Sequence, residues 1–224
     1  MAALPVDRER GTGRHLKTAD EASLEPSLLL VEFADAIADA PLGRALDIAC
    51  GNGRNAFFLA SLGYRVTAAD RSAAAVAFVE RRAQELGVDV EAVETDTAEL
   101  DPGLERFAVI ANIDYLDRNL VPRLIRGLRP GGYLFFESHT TDECDVLGHD
   151  ARREQLLERN EALRLFAPLH ILYYREAIVP GDDDDSRPRA MARLIGKAPP
   201  VPLAVPGGGG TLGIELPPGG TGEG

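Results

Sequence analysis

Apolar positions along the chain follow two alternating rhythms. Residues 44–49 (RALDIA), 64–69 (YRVTAA), 88–94, 107–112 (FAVIAN) and 133–137 (YLFFE) read as short strands, the first of them as a strand buried on both faces. Between them the spacing becomes helical. Residues 27–37 carry a face of Leu28, Leu29, Leu30, Val31, Phe33 and Ile37, residues 53–62 stop at Gly63, and Ser72 caps a segment with Val76, Val79, Ala83 and Leu86 that ends at Gly87. A further helix is predicted over 116–128, with Leu120, Leu124 and Leu128 on one side, stopped by Arg129-Pro130-Gly131-Gly132. Strand and helix in this order demand a parallel sheet with right-handed crossovers, an α/β doubly wound fold. After a polar helical stretch over 150–165, residues 169–179 and 189–195 read as strands with no helix between them, so they pair antiparallel.

The 224 residues divide into a polar lead-in (1–25), one folded domain (26–198) and a Gly/Pro-rich flexible tail (199–224), in which fifteen of 26 residues are Gly or Pro. With 45% hydrophobic and 27% charged side chains, the domain needs no disulfide or structural metal to fold. Cys50 and Cys144 have no metal-ligand spacing, and no metal is expected; a Cys-poor chain fits a reducing compartment. No secretory segment is visible and Glu32 breaks the run SLLLVEF, so a cytoplasmic protein without a membrane partner is expected. The balance of 24 Lys+Arg against 36 Asp+Glu, net −12, argues against a nucleic-acid partner. Four of the excess negative charges sit at 182–185, a solvated hairpin tip by this reading.

Candidate chemistry concentrates after the first strand, in Asp47-Ile48-Ala49-Cys50-Gly51-Asn52-Gly53, followed by Arg54-Asn55-Ala56. Glycines at 51 and 53 let the backbone turn sharply and approach a ligand closely. Asp70, at the end of the next strand, can accept hydrogen bonds from both ribose hydroxyls of any adenosine cofactor. The same residues satisfy a dinucleotide fingerprint, and Arg54 at the helix start favours that competitor, an NAD-dependent oxidoreductase.

The pattern D-x-A-x-G-x-G, with Ala49 in place of the usual first glycine, resembles motif I of class I S-adenosylmethionine-dependent methyltransferases. Asp96 past the third strand and the turn Leu128-Arg129-Pro130-Gly131-Gly132-Tyr133-Leu134 are similar to further elements of that family. The resemblance implies a Rossmann-like seven-stranded sheet in the order 3-2-1-4-5-7-6, mostly parallel with an antiparallel C-terminal hairpin strand. It also implies S-adenosylmethionine as cofactor, held by Asp47, Ala49, Gly51, Gly53, Arg54, Asn55, Asp70, Arg71, Asp96, Thr97 and Asn112. The string ACGNGRNAFFLASLGYRVTAAD is similar to small bacterial methyltransferases of the tellurite-resistance and thiopurine type, which implies a thiol, metalloid oxyanion or small hydroxyl as acceptor.

The acceptor pocket is expected beyond the fourth and fifth strands. There Tyr115 is a candidate aromatic wall, Asp114 a polar contact and His139 a base. Asn112-Ile113-Asp114-Tyr115 shares spacing with the Asn-Pro-Pro-Tyr element of base-directed methyltransferases, but both prolines are replaced. His15, His149 and His170 show no constellation. A different class of role, a non-catalytic module that binds S-adenosylmethionine and works through a partner, stays open beside the enzyme.

Overall fold

A computed structural model of the chain describes residues 24–38, 42–180 and 187–200. The lead-in through residue 23, which includes His15, the aspartate run 182–185 and the tail from residue 201 lie outside the described residues. Strands β1 (Arg44–Ile48), β2 (Arg65–Asp70), β3 (Val90–Glu94), β4 (Phe107–Ile113), β5 (Leu128–His139), β6 (His170–Val179) and β7 (Arg189–Lys197) form one sheet. Their order is β3-β2-β1-β4-β5-β7-β6. The first five pair in parallel, and β7 lies antiparallel between β5 and β6. This is the expected Rossmann-like doubly wound sheet, and its strand order reverses between β1 and β4. Ligands of such sheets bind at that switch point, beyond the carboxyl ends of the strands.

Helices α1 (Leu28–Glu32), α2 (Ala34–Ala38), α3 (Arg54–Ser61), α4 (Ala73–Leu86), α5 (Val121–Gly127), α6 (Asp142–Asp145) and α7 (Glu161–Leu165) complete the fold. Successive strand residues point to opposite faces, so each strand feeds two cores. Val66, Ala68, Ala111 and Phe135 pack with Leu29, Leu59 and Val79 on the face covered by α1 and α3. Ile48, Ile110 and Phe136 pack with Leu124 and Phe166 on the face covered by α5 and α7. The Phe136 and Phe166 rings meet at 4.8 Å, and truncating either to Ala would cost about 3–5 kcal/mol.

The helices are shorter than their periodicity suggests, for identifiable reasons. The helix predicted over 27–37 breaks at Phe33, whose ring leaves to pack against Tyr173 at 5.0 Å. The one predicted over 116–128 shrinks to α5, because the Asp117 carboxylate takes the Asn119 N–H in a local turn and Pro122 starts the helix where its missing N–H is harmless. Residues 128–132 join β5 directly instead of forming a turn ahead of it. Over 150–165 a 3₁₀ turn (Arg153–Gln155) and α7 replace the expected helix, since the Arg118 guanidinium takes the Glu154 and Leu156 carbonyls at 2.9 and 2.8 Å. On α4, Val76, Val79 and Ala83 are buried as expected, while Leu86 is exposed.

Candidate active site

Between β1 and α3 the chain turns through three residues of positive φ: Ala49 at 51°, Gly51 at 53° and Gly53 at 76°. A Cβ on Gly53 would lie 2.9 Å from Val79 Cγ2, so close packing excludes a side chain there. At Gly51 the reason differs, since an added Cβ meets nothing within 4 Å and would project into open space. Ala49 adopts the left-handed conformation with a Cβ, at a cost of about 1–2 kcal/mol. The backbone thus needs at position 49 what glycine supplies freely.

Asp70 holds this loop in place. Its Oδ2 accepts the Gly51 N–H at 2.9 Å and its Oδ1 the Ser72 N–H at 2.9 Å, leaving lone pairs on a half-buried carboxylate for further donors. Asp47 lies beneath, 1% exposed, bonded to the Ala56 N–H but with Oδ2 lacking any partner. Burial pushes its carboxyl up to about 7, against the pull of the Ala56 N–H and Arg54, with Asp70 raising it further. Burial and the Asp47 and Asp70 carboxylates also push the Cys50 thiol up, which makes it an unreactive core group. Cys50 and Cys144 are both free.

Arg54 is committed elsewhere. Its Nη2 lies 2.8 Å from Asp114 Oδ2 and its Nη1 donates to the Glu25 carbonyl at 3.4 Å, so its charge spans from α3 to the end of β4. Asn55 is buried and accepts the Ser27 N–H, tying the start of α1 to the loop. Arg71 is exposed beside Asp70, and Asp96 is exposed after β3 with its Oδ1 on the Ala98 N–H. Thr97 Oγ1 and the Tyr115 hydroxyl hydrogen-bond each other, closing the gap between the loops after β3 and β4. Asn112 is 1% exposed at the end of β4, and neither of its amide atoms has a partner. Asp114 follows at φ 59°, its N–H on the Glu137 carbonyl.

The structure therefore gathers Asp47, Ala49, Gly51, Gly53 and Asp70 into one loop cluster, with Asp114 joined to it through Arg54 and Tyr115 joined to Thr97. His139 closes β5, and its Nδ1 lies 2.9 Å from Glu143 Oε1. Sequence reasoning missed three groups. Arg123 staples the loop after β3 by donating to the carbonyls of Thr97, Ala98 and Leu100. Glu143 binds His139, and His149, which showed no constellation in the sequence, binds Glu143 Oε2 at 2.6 Å. Arg123 comes from a distant segment, whereas His139, Glu143 and His149 lie within eleven residues, and their i, i+4 and i, i+6 spacing is the signal that could have found them.

Residues 45–132 match the methyltransferase-domain family. The stretch that carries the glycine loop and the strands on either side of it is thus similar to a methyltransferase domain. It is 32% identical over 141 residues to hemagglutinin 1 of Eikenella corrodens, covering 60% of this chain and 46% of that protein. It is 26% identical over 152 residues to the probable S-adenosylmethionine-dependent methyltransferase TehB of Haemophilus influenzae, covering 64% of this chain and 53% of TehB. The chain thus spans about half the length of these relatives. The crystal structure of TehB from Haemophilus influenzae shares the fold, with a TM-score of 0.64 at 19% identity over 75% of this chain and 62% of that one.

TehB is described as S-adenosylmethionine-dependent, and the residues here fit that cofactor. The unpartnered Asp47 Oδ2 and the open space over Gly51 are both features that a ligand over the loop would use. A net positive ligand is favoured by the carboxylates at 47, 70 and 96. A pyrophosphate would instead sit at the N-terminus of α3, where Arg54, the residue that favours it, is paired with Asp114.

Proposed function

We propose that this domain methylates a small-molecule nucleophile, and that it does so as a single unit spanning residues 26–198. One observation carries the reading: the Gly51 N–H latched to Asp70 beside open space, over a buried carboxylate with an unused oxygen. Asp70 is the residue for the ribose hydroxyls, Asp96 and Thr97 for the adenine edge, and Asp47 with the backbone of Ala49 and Asn112 for the cationic amino-acid end. Arg54 and Asn55 act by holding the loop against the start of α1. When bound, the cofactor supplies a methyl group activated by positive sulfur, which departs as a neutral thioether and needs no proton. The protein's task is then to align the acceptor and exclude water. Tyr115 and Asp114 at the end of β4, with His139 at the end of β5, are the groups assigned to the acceptor.

Thiol, metalloid and hydroxyl acceptors all suit such a site. The acidic balance of the chain, net −12, favours a small molecule over nucleic acid. Among the described residues no helix is long and apolar enough to cross a membrane, and we assign the domain to the cytoplasm. Calorimetry with S-adenosylhomocysteine and NAD side by side tests the cofactor: binding is expected only for the former, and a preference for NAD overturns the reading. Methyl-labelled S-adenosylmethionine offered with phenols, thiols, selenite and tellurite tests turnover. Binding without transfer to any of them would show a cofactor-binding module rather than an enzyme.

A further inference from the structure

A second cluster of titratable groups lies on the same edge of the sheet, around Glu143. This α6 carboxylate is 5% exposed and takes three N–H donors from separate segments. Oε1 accepts from His139 Nδ1 at 2.9 Å and from the Ala190 backbone N–H at 2.7 Å, and Oε2 from His149 Nδ1 at 2.6 Å. Burial pushes the Glu143 carboxyl up, but the donors from His149, Ala190 and His139 outweigh it and hold it below the usual carboxylate range. An ionised carboxylate only accepts, so both imidazoles donate from Nδ1 and each, when neutral, keeps its lone pair at Nε2. The two imidazole side chains stay about a quarter exposed, 26% and 27%, around a carboxylate that is sealed.

The position of His139 gives this tautomer a use. Glu137 pairs in register with Ile113, the last residue of β4, and its carbonyl takes the Asp114 N–H. His139 lies two residues further along β5, on the face shared with Phe135 and Glu137 by strand alternation. That face carries α1 and α3, and α3 is the helix the glycine loop opens into. Two charged groups at these strand ends are already paired, Glu137 with Arg193 at 2.5 Å and Asp114 with Arg54. His139, at the end of β5, has its Nδ1 taken by Glu143, which leaves its Nε2 for an acceptor beyond the strand ends.

Burying a carboxylate is costly unless its oxygens are fully bonded, so this cluster is a structural commitment to one imidazole tautomer. A thiolate or a metalloid oxyanion reaches the methyl group already ionised and gains nothing from a base, whereas a neutral hydroxyl must lose a proton. Resting on the methyl-transfer reading above, we propose that Glu143 is a positioning residue that fixes His139 as a base, and that the acceptor is a neutral phenol-type hydroxyl. The acceptor O–H gives its proton to His139 Nε2, and the oxygen's lone pair forms the new bond to the methyl carbon as the carbon–sulfur pair departs with sulfur. The imidazolium faces the Glu143 carboxylate and then releases its proton to water. A phenol, with an ordinary pKa of about 10, is within reach of an imidazole base, and an aliphatic alcohol is not.

The test pairs catechol with thiophenolate as acceptor probes, in the wild type and in Glu143→Gln and His139→Ala. Glutamine keeps one accepting oxygen for Ala190 and His139 and turns its amide N–H toward His149. Imidazole ¹⁵N spectra at pH 8 should therefore show Nδ1–H on both rings in the wild type, and His149 converted to Nε2–H in Glu143→Gln. With catechol, kcat should fall about 100-fold in His139→Ala and about tenfold or more in Glu143→Gln, with KM little changed. With thiophenolate both variants should stay within about twofold of the wild type. Equal losses on both probes, an Nε2–H tautomer of His139 in the wild type, or transfer to thiophenolate without transfer to catechol would each overturn the proposal. Calorimetry with S-adenosylhomocysteine separates the two levels: retained binding without catechol methylation defeats this inference alone, and absent binding defeats the methyl-transfer reading beneath it.

Discussion

Asp47→Asn probes the buried carboxylate beneath the glycine loop without changing its shape. In the fold this carboxyl is raised from 3.8 to about 7, chiefly by burial. Between those values the folded protein holds a proton that the unfolded chain has released, so its share of stability is complete below pH 4 and is lost as pH rises to about 7. At about 1.4 kcal/mol per unit the whole loss comes to about 4 kcal/mol, of which about 2 kcal/mol falls between pH 5 and pH 7. Asparagine does not titrate. Its amide leaves an N–H unpaired where Oδ2 now lacks a partner, a cost of about 1–3 kcal/mol that is independent of pH. Urea unfolding at pH 5, 6, 7 and 8 without cofactor should therefore give a wild-type stability that falls relative to Asp47→Asn by about 2 kcal/mol from pH 5 to pH 7 and flattens towards pH 8. A cationic ligand over the loop favours the ionised form, so S-adenosylmethionine binding at pH 6 should release about one proton from the wild type and none from the variant. Calorimetry in two buffers of different ionisation enthalpy measures that release. Parallel stability curves, or equal proton release, would refute the assignment of this titration to Asp47.

Other substitutions read the remaining parts of the site. Ala49→Gly relieves a residue held at φ 51° and should raise stability by about 1 kcal/mol in urea unfolding. Gly53→Ala meets Val79 at 2.9 Å and should lose about 2–4 kcal/mol, whereas Gly51→Ala carries only the backbone strain, about 1–2 kcal/mol, but should weaken S-adenosylhomocysteine binding at least about tenfold by filling the open space. Asp70→Asn sets an amide N–H against the Gly51 or Ser72 N–H and should cost about 1–3 kcal/mol together with most of the cofactor affinity, read by the same calorimetry. A double-mutant cycle on Arg54 and Asp114, a partly exposed pair, should return a coupling of about 0.2–1 kcal/mol.

The alternation of strands with helices and the glycine loop were legible because they rest on local signals, whereas the strand order came with the family resemblance. Five apolar runs alternating with helical spacing, and two glycines after a strand, each carry their meaning within about ten residues. The helix lengths were not legible, because long-range side chains overrule periodicity. Phe33 leaves its helix for Tyr173, and Arg118 captures the carbonyls that a helix over 150–165 would have used. The pairing of Arg54 with Asp114, sixty residues on, is of the same kind, and it reverses the meaning of Arg54 from a phosphate ligand to a brace. His139 stood out in the sequence by position alone. Its partner Glu143 and the second imidazole at His149 stand within ten residues of it, but the Ala190 N–H that completes the cluster is brought in from the start of β7.

Four of the residues where local preference is violated lie together, while Glu105 and Asn160, also at positive φ, lie in loops elsewhere. Ala49 and Asp114 adopt positive φ without being glycine, Asp47 is a carboxylate buried with an unused oxygen, and Asn112 is a buried amide with no partner. Each lowers stability by about 1–3 kcal/mol, and none is required to close the sheet. All four sit on two neighbouring strand ends: Asp47 pairs in register with Ala111 and Ile48 with Asn112, with Ala49 and Asp114 just beyond. This is the place where the strand order reverses and where a doubly wound sheet opens a crevice. Elsewhere in the same sheet comparable positions obey the rules, as in β2 and β3, whose ends pair through the Thr95 N–H on the Asp70 carbonyl. A fold that keeps four such residues together at one crevice retains them for what enters it.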